Sequence, residues 1–190
     1  MNSLQLSLRG TTPLLLKSNV GVNPLHDLTI AKKKISGKRN KTEEDTLALL
    51  MLDWELGLYW NDEIGVFIPA QNVEAALRDA AKAVKKGKDI AKGVFVFPDM
   101  IPLSHPGPKD YQELKNDQRY RDIRVGKLQG KSSIMICRPR FDRWSIDVDL
   151  EYDPSIFDEE TILHICQTAG KYVGLCDYRP RYGKFEVIVR

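Results

Sequence analysis

The stretch VFIPAQNVEAALRDAAK, residues 66–82, changes its hydrophobic period at Pro69. Before the proline, Val66 to Ile68 is a short apolar run of strand type. After it, Val73, Ala76, Leu77, Ala80, Ala81 and Val84 fall three and four apart, the spacing of one helix face. Gly87 is placed to stop that helix. A strand that turns straight into an amphipathic helix predicts a mixed protein with helices packed on a sheet.

Toward the N-terminus, Leu4, Leu6 and Leu8 alternate with Gln5, Ser7 and Arg9, as in a half-buried strand. Thr11 to Pro13 break the run and Leu14 to Leu16 resume it. Residues 17–41 have little apolar periodicity and many Gly, Asn and Lys, which predicts an exposed basic loop. Thr42 ahead of Glu43, Glu44 and Asp45 predicts a capped helix with Leu47, Leu50, Met51 and Trp54 on one stripe.

Toward the C-terminus, Gly93 to Phe97 predicts a strand. Residues 98–131 carry four prolines and then a polar, charged run, and predict an insertion without assigned elements. Ser132 to Phe141 and Trp144 to Tyr152 predict two strands paired around Arg143. Asp158 with Glu159 and Glu160 predicts a last helix, whose buried stripe is Ile162, Leu163, Cys166, Ala169 and Val173; Phe185 to Val189 closes the chain as a strand. With the insertions removed, the order is close to β-α-β-β-α-β. This predicts an α+β fold of modified ferredoxin-like (RRM-like) type: a single domain over residues 1–190, an antiparallel sheet, helices on one face and a long central insertion. The other sheet face would be open, and RNA-recognition modules use that face.

With 42% hydrophobic and 29% charged residues among 190, the composition is that of a globular chain. No apolar run approaches the roughly 20 residues that span a bilayer, and the start lacks a signal-peptide pattern, so a cytoplasmic protein without a membrane partner is expected. Cys137, Cys166 and Cys176 form no C-x-x-C pair, which points to reduced thiols. No phosphate-loop, zinc or nucleotide motif is present, so no metal and no cofactor is expected. Net charge is only +3, but it is unevenly spread. Lys32, Lys33, Lys34, Lys38, Arg39 and Lys41 form one basic zone; Arg119, Arg121, Arg124, Lys127, Lys131, Arg138, Arg140 and Arg143 form another. Such separation permits a basic face for a polyanion.

The last segment, GKYVGLCDYRPRYGKFEVIVR from Gly170, sets Gly174, Arg179, Arg181, Gly183 and Lys184 between the last helix and the last strand. Two readings are open there. Glycines could admit a nucleic-acid backbone and the cations could hold its phosphates. Equally, the segment is a turn whose arginines pair with Asp177 or with Asp147 and Asp149. For the other candidates the alternatives are a solvated loop at Lys32 to Lys41 and core packing of Phe141 and Trp144 beside Arg138, Arg140 and Arg143. Asp147, Asp149 and Glu151 are the wet face of a strand.

Three segments together resemble the RAMP superfamily, the CRISPR-associated RNA-binding proteins built on ferredoxin-like domains. They are LSLRGTTPLLLKSN, VFIPAQNVEAALRDAAK and GLCDYRPRYGKFEVIV, the last similar to the superfamily's C-terminal glycine-rich loop. The chain departs from that loop at Cys176 and Lys184, where the superfamily has glycine. The resemblance is to backbone subunits, and the departures suit a diverged stand-alone relative from a phage or mobile element. It implies sequence-independent binding of single-stranded nucleic acid, RNA before DNA, with self-assembly or a partner protein as a further expectation. Two alternatives stand beside it. One is a phage-type adaptor or inhibitor that binds a host protein complex. The other is a metal-independent ribonuclease with His26 as general base.

Overall fold

The computed structural model describes residues 1–127 and 133–190; Lys131 and Ser132, assigned above to the second basic zone and to a strand start, lie outside them. In chain order the elements begin with strands β1 (Asn2–Gly10) and β2 (Leu14–Leu15), then helices α1 (Asp27–Ser36) and α2 (Glu43–Gly57). Strands β3 (Trp60–Asn61) and β4 (Gly65–Pro69) lead to α3 (Ala70–Ala81), α4 (Gly87–Gly93), β5 (Val94–Phe97) and β6 (Met100–Pro102). There follow α5 (Tyr111–Asn116), β7 (Arg121–Lys127), β8 (Ser133–Phe141), β9 (Ser145–Tyr152), α6 (Glu159–Thr168) and β10 (Phe185–Val189). The chain divides into two compact units: Met1–Leu14 with Trp60–Gly107 and Phe141–Arg190, and Leu15–Tyr59 with Pro108–Arg140.

The first unit holds a four-stranded sheet in the order β10-β1-β9-β5, with every pairing antiparallel. Numbering those strands one to four along the chain gives the order 4-1-3-2, with α3 in the first crossover and α6 in the second. This is the ferredoxin-like fold. The pattern in β1 sets its register. Leu4, Leu6 and Leu8 lie opposite Leu150, Val148 and Ile146, and all six are buried. They face α3, which buries Val73, Ala76, Leu77, Ala80 and Ala81, and α6, which buries Ile162, Ile165 and Cys166. The α3 stripe follows its spacing as far as Ala81; there the chain tightens into a 3-10 turn, Lys85 takes φ +60°, and Val84 is exposed. Gly87 does not end α3 but opens α4.

One strand read from the sequence, the run before Pro69, lies outside the main sheet. The run Val66 to Ile68 pairs with β3 and β6 in a separate three-stranded sheet, not with β1 or β9. At the edge of the main sheet, the Val96 amide donates to Glu74 Oε1 of α3 at 3.1 Å, which satisfies a donor on the exposed side of β5.

The second unit packs α1 against α2 and holds the sheet β2-β8-β7. Thr42 and Asp45 form a reciprocal capping box at the start of α2. Trp54 is fully buried and its Nε1 donates to the Tyr120 carbonyl at 2.7 Å. Glu55 accepts from the Tyr111 hydroxyl at 2.8 Å and pairs with Lys115 at 2.9 Å.

Three sequence expectations need correction. The segment 17–41 is not all loop, because α1 occupies ten of its residues. Ala31 to Lys34 are strong helix formers and the His26 ring caps the first turn, but the helix buries only Thr29 and so shows no apolar stripe. The span 98–131 contains β6, α5 and β7; α5 starts at Asp110, whose carboxylate accepts from Gln112 N at 2.8 Å and Glu113 N at 2.9 Å. Finally, β8 and β9 do not pair. β8 joins β7 and β2, while β9 lies between β1 and β5. Alternation identifies a strand but not its partner.

Candidate nucleic-acid interface

The loop between α6 and β10 begins with a turn of π type, Ala169–Val173, as α6 runs out. Gly174 then takes φ +79° and Gly183 φ +73°. Between them the loop closes on itself, with Leu175 N donating to Gly183 O at 2.9 Å and Tyr182 N to Tyr178 O at 3.2 Å. It is also tied to the start of the chain: Gly183 N donates to Pro13 O at 2.8 Å, and Lys184 N to Thr12 Oγ1 at 2.9 Å. A Cβ on Gly183 would lie 2.1 Å from the Leu175 carbonyl oxygen, and one on Gly174 2.6 Å from that of Tyr182. Both glycines therefore serve the loop's own closure. The close backbone approach seen in the sequence is between two parts of this chain.

Cys176, where the resemblance leads one to look for glycine, takes φ +60°. The conformation a glycine would favour is kept with a side chain in place. Asn72 Nδ2 of α3 donates to Cys176 Sγ at 3.6 Å, and burial pushes the thiol up to about 12. Arg179 reaches Asp79 Oδ2 at 3.5 Å. Asp79 is held below the usual carboxylate range first by the hydrogen bond from Lys82 and less by Arg179. So one of the two loop arginines has an acidic neighbour on α3, not Asp177, Asp147 or Asp149.

Arg181 is exposed and has no ion-pair partner among the described residues. The same loop exposes side chains that the sequence did not single out. Tyr172 is 61% exposed, with the Lys171 ammonium 5.1 Å from its ring centroid. Tyr178 is 39% exposed and meets Tyr182 edge-on at 6.4 Å. Lys171 and Lys184 line one hollow of about 470 Å³ with Thr11, Gln167 and Glu186. The missed signal was spacing: Lys171 and Tyr172 fall off the stripe that buries Ile162, Cys166 and Ala169, and so had to face outward.

The open face of the sheet has the opposite charge. Register brings Asp147, Asp149 and Glu151 of β9 to the same face as Ser3, Gln5, Ser7 and Arg9 of β1 and Glu186 of β10. Arg190 pairs with Asp147 at 3.0 Å, and Arg9 comes within 3.9 Å of Glu186. Phe95 and Phe97 of β5 sit opposite Glu151 and Asp149 and are 43% and 42% exposed. The face offers aromatic rings for bases but surrounds them with carboxylates that repel phosphates.

The other predicted cations divide between the units. Arg143 is exposed in the turn before β9. Phe141 and Trp144 are buried, and Trp144 Nε1 donates to Thr12 O at 2.8 Å. In the second unit, Arg124 clasps the buried Asp122 with bonds of 2.6 and 2.7 Å, and Arg140 lies 3.4 Å from it. Arg138 is buried opposite Asp122. Lys32 pairs with Asp53, Lys38 with Asp45 at 2.7 Å, and Lys41 donates to Lys38 O at 3.0 Å. Lys33, Lys34 and Arg39 are exposed. Two zones distant in sequence do meet, since Lys32, Lys33 and Arg138 line one cavity.

His26 Nδ1 accepts from Leu28 N at 3.3 Å as the cap of α1. His105 is buried against Phe141 with ring centroids 4.9 Å apart, and His164 is exposed on α6. Among the described residues, no group of three or more His, Cys, Asp or Glu side chains is placed to hold a metal ion, and no helix is long and apolar enough to cross a membrane.

No protein-family model matches the chain, and no curated protein does. Among solved structures it is similar to a chain of the Type III-B Cmr-beta complex, a cryo-EM structure bound to cognate target RNA. The identity is 10% and the TM-score 0.47. The match covers 98% of this chain and 60% of the other, so the protein spans about three-fifths of that neighbour's length.

Proposed function

We propose that the protein binds single-stranded nucleic acid without reading its sequence, and that the first unit does so through the loop between α6 and β10. RNA is the strand that the motif resemblance implies. One observation carries this reading: Lys171, Tyr172, Tyr178 and Arg181 stand exposed on a loop fixed by its own backbone bonds, with Lys171 and Lys184 facing one hollow. Cations in fixed positions hold phosphates without choosing bases, and exposed tyrosines stack on any base. The acidic sheet face disfavours the other site that this fold offers.

The loop's thiol is held protonated by burial, and the histidine expected as general base, His26, is not on this loop but caps α1. Binding without cleavage is therefore the role the geometry favours. The test is an anisotropy titration with a labelled single-stranded RNA of about 30 nucleotides at low and moderate salt. Tight binding that weakens steeply with salt is expected; no binding at low salt would overturn the reading.

A further inference from the structure

A third basic zone, beyond the two read from the sequence, lies at the end of α3. From Arg78 to Lys92 the chain carries six cations against two acids, Asp79 and Asp89, a net of +4 where the whole chain carries +3. Two of the six are engaged. Lys86 is held inward, with its Nζ donating to Ile156 O at 3.5 Å and lying 5.1 Å from the Phe157 ring centroid. Lys82 pairs with Asp79 at 2.7 Å. Arg78, Lys85, Lys88 and Lys92 are exposed and have no ion-pair partner among the described residues.

Backbone geometry gathers these cations beside the loop between α6 and β10. After Ala81 the chain turns back on α3: Lys85 N donates to Lys82 O at 3.1 Å and Lys86 N to Ala81 O at 2.9 Å. Gly87 then packs so close that a Cβ on it would lie 3.2 Å from Lys82 Cγ. Lys85 and Lys88 are thereby held at the end of α3, by Lys82. The loop runs toward the same place. Cys176 meets Asn72, and Arg179 meets Asp79, seven residues or about 10 Å further along α3. Asp79 is the joint, taking Arg179 at 3.5 Å and Lys82 at 2.7 Å. One carboxylate shared by two cations leaves positive charge there, and the unpaired lysines beyond it add more. Exposed cations set one after another fit an extended polyanion.

We propose that a strand bound at the loop continues over the end of α3, its phosphates passing from Arg181 to Lys85 and Lys88. The proposal rests on strand binding at the loop and sets the length of RNA that one chain covers. The loop supplies the stacking rings, and the lysines lengthen the grip by charge alone.

Anisotropy titration of the full chain with single-stranded RNA of about 30 and about 5 nucleotides tests this. Lys85→Gln with Lys88→Gln keeps two long side chains and removes both charges. On the long RNA this variant should lower the slope of log K against log salt by about 1.4, the share of two phosphate contacts on a single strand, with the thermal midpoint unchanged. The short RNA, stacked on the loop tyrosines, should bind the variant and the native chain alike. An unchanged slope on a long RNA that the native chain binds would overturn the extended track and leave the loop site standing. Equal weakening of short and long RNA would overturn it as well, because the lysines would then belong to the anchoring site. No binding of either RNA to the native chain at low salt would overturn both the track and the loop site.

Discussion

At the scale of single residues, the loop's glycines and cations do different work. Gly183 holds a positive φ, and a methyl group there would meet the Leu175 carbonyl at 2.1 Å. Gly183→Ala is expected to cost more than about 2 kcal/mol, seen as a fall in thermal midpoint. Cys176→Gly, at a position already at φ +60°, should leave the midpoint close to that of the native chain. Arg181→Ala should leave the midpoint unchanged and lower the slope of log K against log salt by about 0.7, the share of one phosphate contact on a single strand. Tyr172→Ala should weaken binding by about 1–3 kcal/mol, the worth of one stacked base. Burial pushes the thiols of Cys137, Cys166 and Cys176 up to about 11, 12 and 12. At pH 8 the folded chain should therefore react slowly with a thiol reagent, and the denatured chain quickly with all three. Much of this was legible in the sequence. Gly174 and Gly183 were visible as special positions, but the bond from the Gly183 amide to Pro13, about 170 residues earlier, was not. Tyr172 followed from helix spacing once the buried stripe was known.

At the scale of elements, strong periodicity and caps predicted structure and weak periodicity hid it. The helix from Ala70 and the helix from Glu159 were readable because apolar stripe and start signal agreed. The α1 helix was not, since it is polar nearly all round and is capped by a histidine. The pairing of β8 with β7 was hidden because β7 keeps Ile123 and Val125 48% and 67% exposed and has no clear inside and outside. Caps also give the fold a pH dependence. Asp158 is held below its ordinary value of 3.8, chiefly by the hydrogen bond from the Thr161 amide. A carboxylate whose folded value is depressed stabilises the fold above its unfolded value, and that contribution is lost as pH falls through the folded one. Thermal midpoints should therefore drop below about pH 4, and Asp158→Ala should lower the midpoint near neutral pH and flatten the acid limb.

At the scale of the whole molecule, the strand order β10-β1-β9-β5 is the ferredoxin-like order that the element sequence predicted. Charge placement could not be predicted in the same way. The acids at Asp147, Asp149 and Glu151 were evident as a wet strand face, but only the register with β1 and β10 joins them to Glu186 and makes the open sheet face acidic. That face is where this fold would otherwise hold bases, so its charge moves the expected interface to the loop beyond α6. Anisotropy titration of the native chain with single-stranded RNA, at about 50 and about 200 mM salt, separates the two surfaces when repeated with two double variants. The account predicts salt-dependent binding that Lys171→Ala with Arg181→Ala abolishes and that Phe95→Ala with Phe97→Ala leaves intact. Binding that survives the loop variant and disappears with the phenylalanines, or no binding at low salt, would contradict it.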